Sequence, residues 1–319
     1  MTAYILRRIL WMIPLLWAVA TVTFFLMHLV PGGPFDREKP LPPAAQENLE
    51  QQYHLNEPLW RQYTLYLQGL VRGDLGTTYS GSGRPVTDII RERFDTSLQL
   101  GVVTFIFVII VGMTLGVVSA VYHNSAVDYA GVLFATAGAA LPNFILATFL
   151  TIIFAVNFGW FDVLGWGGPD NWYQMWNPFA YDWRKVVLPV LSLGVLSAAF
   201  VARVTRASML EVLNQDYIRT ARAKGLREYN VVLRHSVKNA LIPVLTVAGP
   251  IFALLITGSF IVERAFAIPG IGQEFVSAVL NRDYGMIMGT TIFFAFIVAL
   301  MNLVVDVLYA YVDPRIRYS

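Results

Sequence analysis

The chain contains no cysteine, which excludes disulfides, thiolate nucleophiles and any Cys-ligated metal and leaves the redox compartment open. Histidine is nearly as scarce. His28, His54, His123 and His235 fall in separate segments without metal-ligand spacing. No lysine follows a glycine anywhere, so the G-K-[ST] loop with which ATPases cradle phosphates is missing, and any ATP would have to be hydrolysed by another chain. Charge is also sparse. Only 14% of the 319 residues are charged against 56% hydrophobic, too few to cover a water-soluble globule of this length, so lipid must cover much of the surface. A formal net charge of +2 gives no sign of a nucleic-acid partner.

What the chain has instead is long apolar runs. A helix crossing about 30 Å of hydrocarbon needs roughly 20 mostly apolar residues, because the bilayer satisfies no unpaired backbone group. Six runs qualify: Ile9 to Val30, Leu100 to Tyr122, Tyr129 to Asn157, Val186 to Ala202, Ala240 to Val262 and Met286 to Val305. The first follows Met1 to Arg8 directly and reads as a retained helix rather than a cleaved signal. The fourth is short, and a helix continuing into the polar segment beyond it would supply the missing length. Prolines 14, 142, 189, 243 and 250 interrupt the runs and kink helices, which suits either packing or a pathway that opens and closes. Gly112, Gly116 and Ala120 put small residues on one face of the second span, where helices can approach closely. Asp306 is the main intramembrane carboxylate, with anchoring or interhelical pairing favoured over a role in proton coupling.

Orientation follows from the basic residues beside the spans. Arg203 to Lys238 holds eight lysines and arginines against Glu211, Asp216 and Glu228, which predicts a cytoplasmic segment. Arg7, Arg8, Arg315 and Arg317 fall on the same side with six crossings, so both termini are expected inside. Residues 31–95 then face outward, as does Asn157 to Lys185, whose Trp160, Trp166, Trp172, Trp176 and Trp183 suit either a membrane interface or an ordinary aromatic surface loop.

The stretch YIRTARAKGLREYNVVLRHSVKNALIP, Tyr217 to Pro243, resembles the cytoplasmic-loop motif of ABC importer permeases in its peptide-transporter version. That motif begins Glu-Ala-Ala and reaches glycine after three further residues. Here Arg219, Thr220 and Ala221 stand at the first three positions and Gly225 at the glycine, so only the second alanine and the glycine are kept. The long spacing from Gly225 to Ile242-Pro243 is similar to the peptide and nickel branch. The outward segment QYTLYLQGLVRGDLGTTY with Pro85-Val86 and an ERF around Arg93, the sequence IPGIGQ from Ile268 to Gln273, NRDY from Asn281 to Tyr284, and the ending DVLYAYVDPRIRY from Asp306 to Tyr318 also look like that family. Taken alone, PGIG and GDLG read as turns that shape the chain.

The resemblance implies an all-α membrane protein with six transmembrane helices in the type I ABC importer permease fold. Residues 1–30 would form the N-terminal end and first helix, 31–95 a periplasmic or extracellular insertion, 96–312 a five-helix core with a coupling loop at 203–238, and 313–319 a cytoplasmic tail. It implies a prokaryotic inner or plasma membrane and no cofactor in this chain, with ATP and Mg held by two cytoplasmic ATPase subunits. A paralogous second permease and an external substrate-binding protein would complete the machinery. Dipeptides or oligopeptides are the expected cargo, with nickel chelates, glutathione or oligosaccharides as alternatives and an ion-coupled secondary transporter as a different class. The coupling site would comprise Tyr217, Thr220, Ala221, Ala223, Lys224, Gly225 and Leu226. Tyr217 to Lys224 is predicted to form a short helix, started by Asp216 accepting the first free amides, with Arg222 and Lys224 in its last turn and Gly225 ending it in the left-handed region. Ala221 and Ala223 would let it approach a partner closely. Pathway candidates lie along the fifth span, where Gly249, Pro250, Thr257, Gly258 and Ser259 combine kinks with small polar surface.

Overall fold

The computed structural model describes residues 2–35, 43–79, 83–170, 174–257 and 259–312. Gly258, Trp172 and the Asp313 to Tyr318 ending, with Arg315 and Arg317, lie outside them. Helix α1, Thr2–Leu29, is the first span. Two short helices follow at its far end, α2 at Pro43–Gln52 and α3 at Leu59–Val71. The second span is α4, Val86–Val121. At 1.5 Å per residue it is about 54 Å long, so its first turns, counted in the insertion by sequence, project beyond the bilayer as helix.

The third span is not one helix. It consists of α5, Ala126–Ala140, and α6, Asn143–Leu150, which runs on into a π-helical turn at Thr151–Asn157. The two arms meet at 106° across Leu141 and Pro142, because Pro142 starts α6 and holds the residue before it extended. The pair still carries the chain across. Its start lies at the α4–α5 turn, while Trp166, in the segment after its end, donates through Nε1 at 3.0 Å to Gln99, about 33 Å along α4 from that turn. The fourth span is α7, Trp183–Leu213. It extends well past Ala202 and so supplies the missing length, which places Arg203 and Arg206 on the helix rather than in a loop. After α8, Asp216–Ala223, and the three-residue α9, Glu228–Asn230, a π-helical turn at Val231–Val237 leads into the fifth span, α10, Lys238–Ile256. The chain closes with α11, Phe260–Ala265, α12, Ile271–Leu280, and the sixth span α13, Tyr284–Val312. Among the described residues no strand forms, only one antiparallel bridge between Thr77 and Pro85.

Packing centres on α4 and α7. The small-residue face of α4 lies directly on α7: a Cβ at Gly112 would come within 2.8 Å of Val201, and one at Gly116 within 2.5 Å of Thr205. Ala120 continues the contact beside Met209. Such approach is what stabilises helix pairs in a bilayer, where lipid tails compete equally for apolar surface. At the end of the bundle where α1 begins, Arg8 pairs with Asp306 of α13 at 3.1 Å, so Asp306 joins helices. At the same end the α4–α5 turn is pinned to α7. Arg206 Nε and a terminal guanidinium nitrogen donate to the two Asp128 oxygens at 2.7 and 2.8 Å.

At the opposite end the outward-read motifs meet one another. The Asp283 carboxylate accepts from the Thr78 hydroxyl, from the Tyr79 amide at 2.9 Å, and from the Met286 amide at 3.0 Å in the first turn of α13. Burial, with that carboxylate beside it, pushes the Tyr79 phenol well above its ordinary range. GDLG makes a turn, in which Asp74 accepts from the Gly76 amide at 2.9 Å. PGIG opens α12, and against that opening Glu263 of α11 is fully buried. Ser97 donates to Oε1 of Glu263 at 2.9 Å and the Gln273 amide to Oε2 at 3.1 Å, so a carboxylate sits against a helix N-terminus, where the dipole favours it.

Candidate functional site

Between the fourth and fifth spans the chain leaves the bundle as α8, held by one apolar seam. Ile218 and Ala221 turn inward and pack against Val231 with Val212 at the side. Eight residues form only a marginal helix in water, so this seam is what keeps α8 formed. Its C-terminus closes as a Schellman motif. The Gly225 amide donates to the Arg222 carbonyl at 2.9 Å and the Leu226 amide to that of Ala221 at 3.4 Å, with Gly225 at φ +76°. Across this turn Arg222 donates to Glu228 at 2.7 Å. The Tyr217 hydroxyl accepts from Asn239 at 2.8 Å, which ties α8 to the first turn of α10.

Several expectations change at this point. The helix starts one residue earlier, Gln215 occupies the capping position without a side-chain bond, and Asp216 is the first helical residue. Asp216 therefore acts through the dipole and a 3.5 Å pair with Arg219 rather than by capping. Ala221 is buried in its own chain and is not available to a partner. Tyr217, Thr220, Ala223, Lys224 and Leu226 are exposed, and at 3.6 residues per turn Ala223 points directly away from the Ile218–Ala221 seam, with Thr220 next to it and Lys224 and Tyr217 following on the same side.

The fifth-span candidates separate in the same way. Gly249 is buried, and a Cβ there would run into Val305 of α13, so its glycine serves close helix packing. Thr257 is buried with its hydroxyl donating to the Leu254 carbonyl at 3.0 Å, and Ser259 caps α11 by accepting from the Val262 amide. Gly258 lies outside the described residues. Pro250 is exposed, and it falls on a stripe with Ile242, Thr246 and Leu254, spaced by four residues along one face of α10. Sequence reasoning missed this stripe, though its spacing was present to be read. It also missed Asp128, Arg206, Ser97 and Glu263, whose partners lie 78 and 166 residues away.

Five long apolar helices and one bent pair, with a short helix held outside the bundle, define a multi-pass membrane protein. Residues 112–318 match the family described as binding-protein-dependent transport system inner membrane component, and residues 1–101 match its N-terminal region. The chain belongs to that family. The oligopeptide transport system permease protein OppB of Haemophilus influenzae is 42% identical over 318 residues, covering 100% of both chains. The dipeptide transport system permease protein DppB of Bacillus subtilis is 41% identical over 317 residues, covering 99% of this chain and 98% of that one. Among solved structures, an inward-facing form of the MetNI methionine ABC transporter superposes with a TM-score of 0.58 at 18% identity, covering 73% of this chain and 100% of that chain. That likeness concerns the fold.

Proposed function

We propose that this chain is a permease subunit forming half of the translocation pathway of an ATP-driven, binding-protein-dependent importer of dipeptides and oligopeptides. The observation that carries this reading is identity of 41–42% along essentially the whole chain to permeases named for oligopeptide and dipeptide transport. A second permease supplies the other half of the pathway, two cytoplasmic ATPase subunits hold ATP and Mg, and an external binding protein delivers the peptide. The α8 helix is the coupling element. Its Tyr217, Thr220, Ala223 and Lys224 face meets an ATPase subunit, while Gly225 and Leu226 hold the turn that sets its angle. The Ile242, Thr246, Pro250 and Leu254 stripe faces the second permease, and peptide passes along it. The bundle end carrying α8 and Arg7, Arg8, Arg203 and Arg206 is cytoplasmic, as the clustering of positive charge favours.

Reconstitution with the second permease, the ATPases and the binding protein tests the reading. Uptake of labelled di- and oligopeptides that requires both the external binding protein and internal ATP is expected. Uptake by this chain alone, driven by a proton gradient, would overturn it.

A further inference from the structure

Asp128 is 1% exposed and carries an unusually complete set of donors. Two come from Arg206 on α7, a third is the Ser119 hydroxyl at the end of α4, and the Asn124 amide in the α4–α5 turn donates to Oδ2 at 2.9 Å. An ion pair that buries its carboxylate while the Arg206 side chain stays partly exposed is a costly way to join helices, since apolar packing of the same volume is often as stable, and its distinctive property is that it specifies one arrangement. The place where this arrangement is specified matters. Arg206 lies seven residues before Leu213, the end of α7, so the clamp sits about 10 Å from the point where the chain turns into α8. On its other side Asp128 belongs to the first turn of α5, the arm that reaches the 106° bend. Among the described residues the bonds to Arg206 are the hydrogen bonds that join α5 to α7, beside the close packing of Gly138 on Ala199 and Val195.

We infer that the Asp128–Arg206 clamp positions α5 relative to the α7–α8 lever, so that displacement of α8 is delivered to the third span and absorbed at the Leu141–Pro142 bend. This rests on the importer reading above. With the clamp closed, α4, α5, α7 and α8 move as one body at this end. With it open, α8 follows its ATPase while α5 stays behind, and hydrolysis proceeds without matched transport.

The test uses the full complex in proteoliposomes. Asp128→Asn keeps the side-chain shape and removes the charge. It should lower peptide imported per ATP hydrolysed by about fivefold or more, the scale of an ordinary intersite coupling, with ATPase activity retained, and Asp128→Glu should restore most of the ratio. Spin labels at Ala130→Cys and Arg219→Cys report the α5–α8 distance without interference from native thiols. That distance should be equal in resting and ATP-trapped states of the otherwise unmodified complex and should diverge between them in Asp128→Asn. If Asp128→Asn does not assemble, Arg206→Gln, which leaves Asp128 with Ser119 and Asn124, carries the same expectation. An unchanged import-to-hydrolysis ratio in an assembled variant, or label distances identical to those of the unmodified complex, would overturn the clamp. Absence of ATP-driven uptake in the unmodified complex would instead overturn the importer reading itself.

Discussion

Gly225 stands at φ +76° with open space in the direction a Cβ would take. A substitution there meets no clash and acts only through the backbone, where a left-handed residue with a side chain costs on the order of 1–2 kcal/mol. That is enough to loosen a helix of eight residues held by one seam. Gly225→Val should therefore lose ATPase retention on purification, or retain it with import uncoupled from hydrolysis, whereas Gly225→Asn, which tolerates the left-handed region, should retain most import. Measuring co-purified ATPase and import per ATP in both variants checks this, and equal full activity would show that the turn does not aim the helix. The glycine and its role were readable from sequence because helix-ending signals are local. Asp216 was misassigned by the same local logic, since any of several polar residues can stand at a helix start and the neighbours choose between them. Ser97, Asp128 and Glu263 were not readable at all. Each is an ordinary polar residue whose meaning comes from a partner in a different helix.

Among elements, the apolar spans were legible because the bilayer enforces both length and composition. The bend in the third span was signalled by Pro142 but read as a kink, since sequence shows that a proline interrupts a helix and not how far the arms diverge. Two faces now carry the functional proposals, and each has an internal control. On α8, Ala223→Glu should abolish ATPase association while the chain still assembles with its second permease, because Ala223 points away from the seam. Ala221→Leu should instead overpack the Ile218–Val231 cluster, costing about 1–3 kcal/mol, and lower the melting temperature. On α10, Gly249→Leu should disrupt packing against Val305 and lower recovery of folded protein. Thr246→Trp should leave recovery intact and block import, and import unaffected by Thr246→Trp would remove the stripe from the pathway.

For the whole molecule, the charge pattern and the six crossings make one topological prediction. In intact cells an impermeant thiol reagent should label Trp60→Cys on exposed α3 and should reach Arg219→Cys on α8 only after the membrane is opened. The natural absence of cysteine makes each label specific, and both residues are exposed. Labelling of Arg219→Cys in intact cells would invert the orientation and, with it, the proposed ATPase face. The two ends of the molecule also differ in how they are held. The end with α8 is joined by ion pairs between helices, Arg8 with Asp306 and Arg206 with Asp128, while the opposite end combines an ion pair between α4 and α12, Arg93 with Glu274, with backbone and hydroxyl donors gathered on the buried Asp283 and Glu263.

One of those carboxylates bears on biosynthesis. Thr78 and Asp283 are 205 residues apart, so at roughly 5–20 residues per second the ribosome needs about 10–40 s to supply the acceptor after the donor has been made. Throughout that interval the segment carrying Thr78 lacks the contact that seats it, and only synthesis of the last helix completes it. A nascent chain stalled or truncated before Asp283 therefore leaves the Thr78 hydroxyl and the Tyr79 amide without that carboxylate, and the segment around them unseated against the start of the last helix.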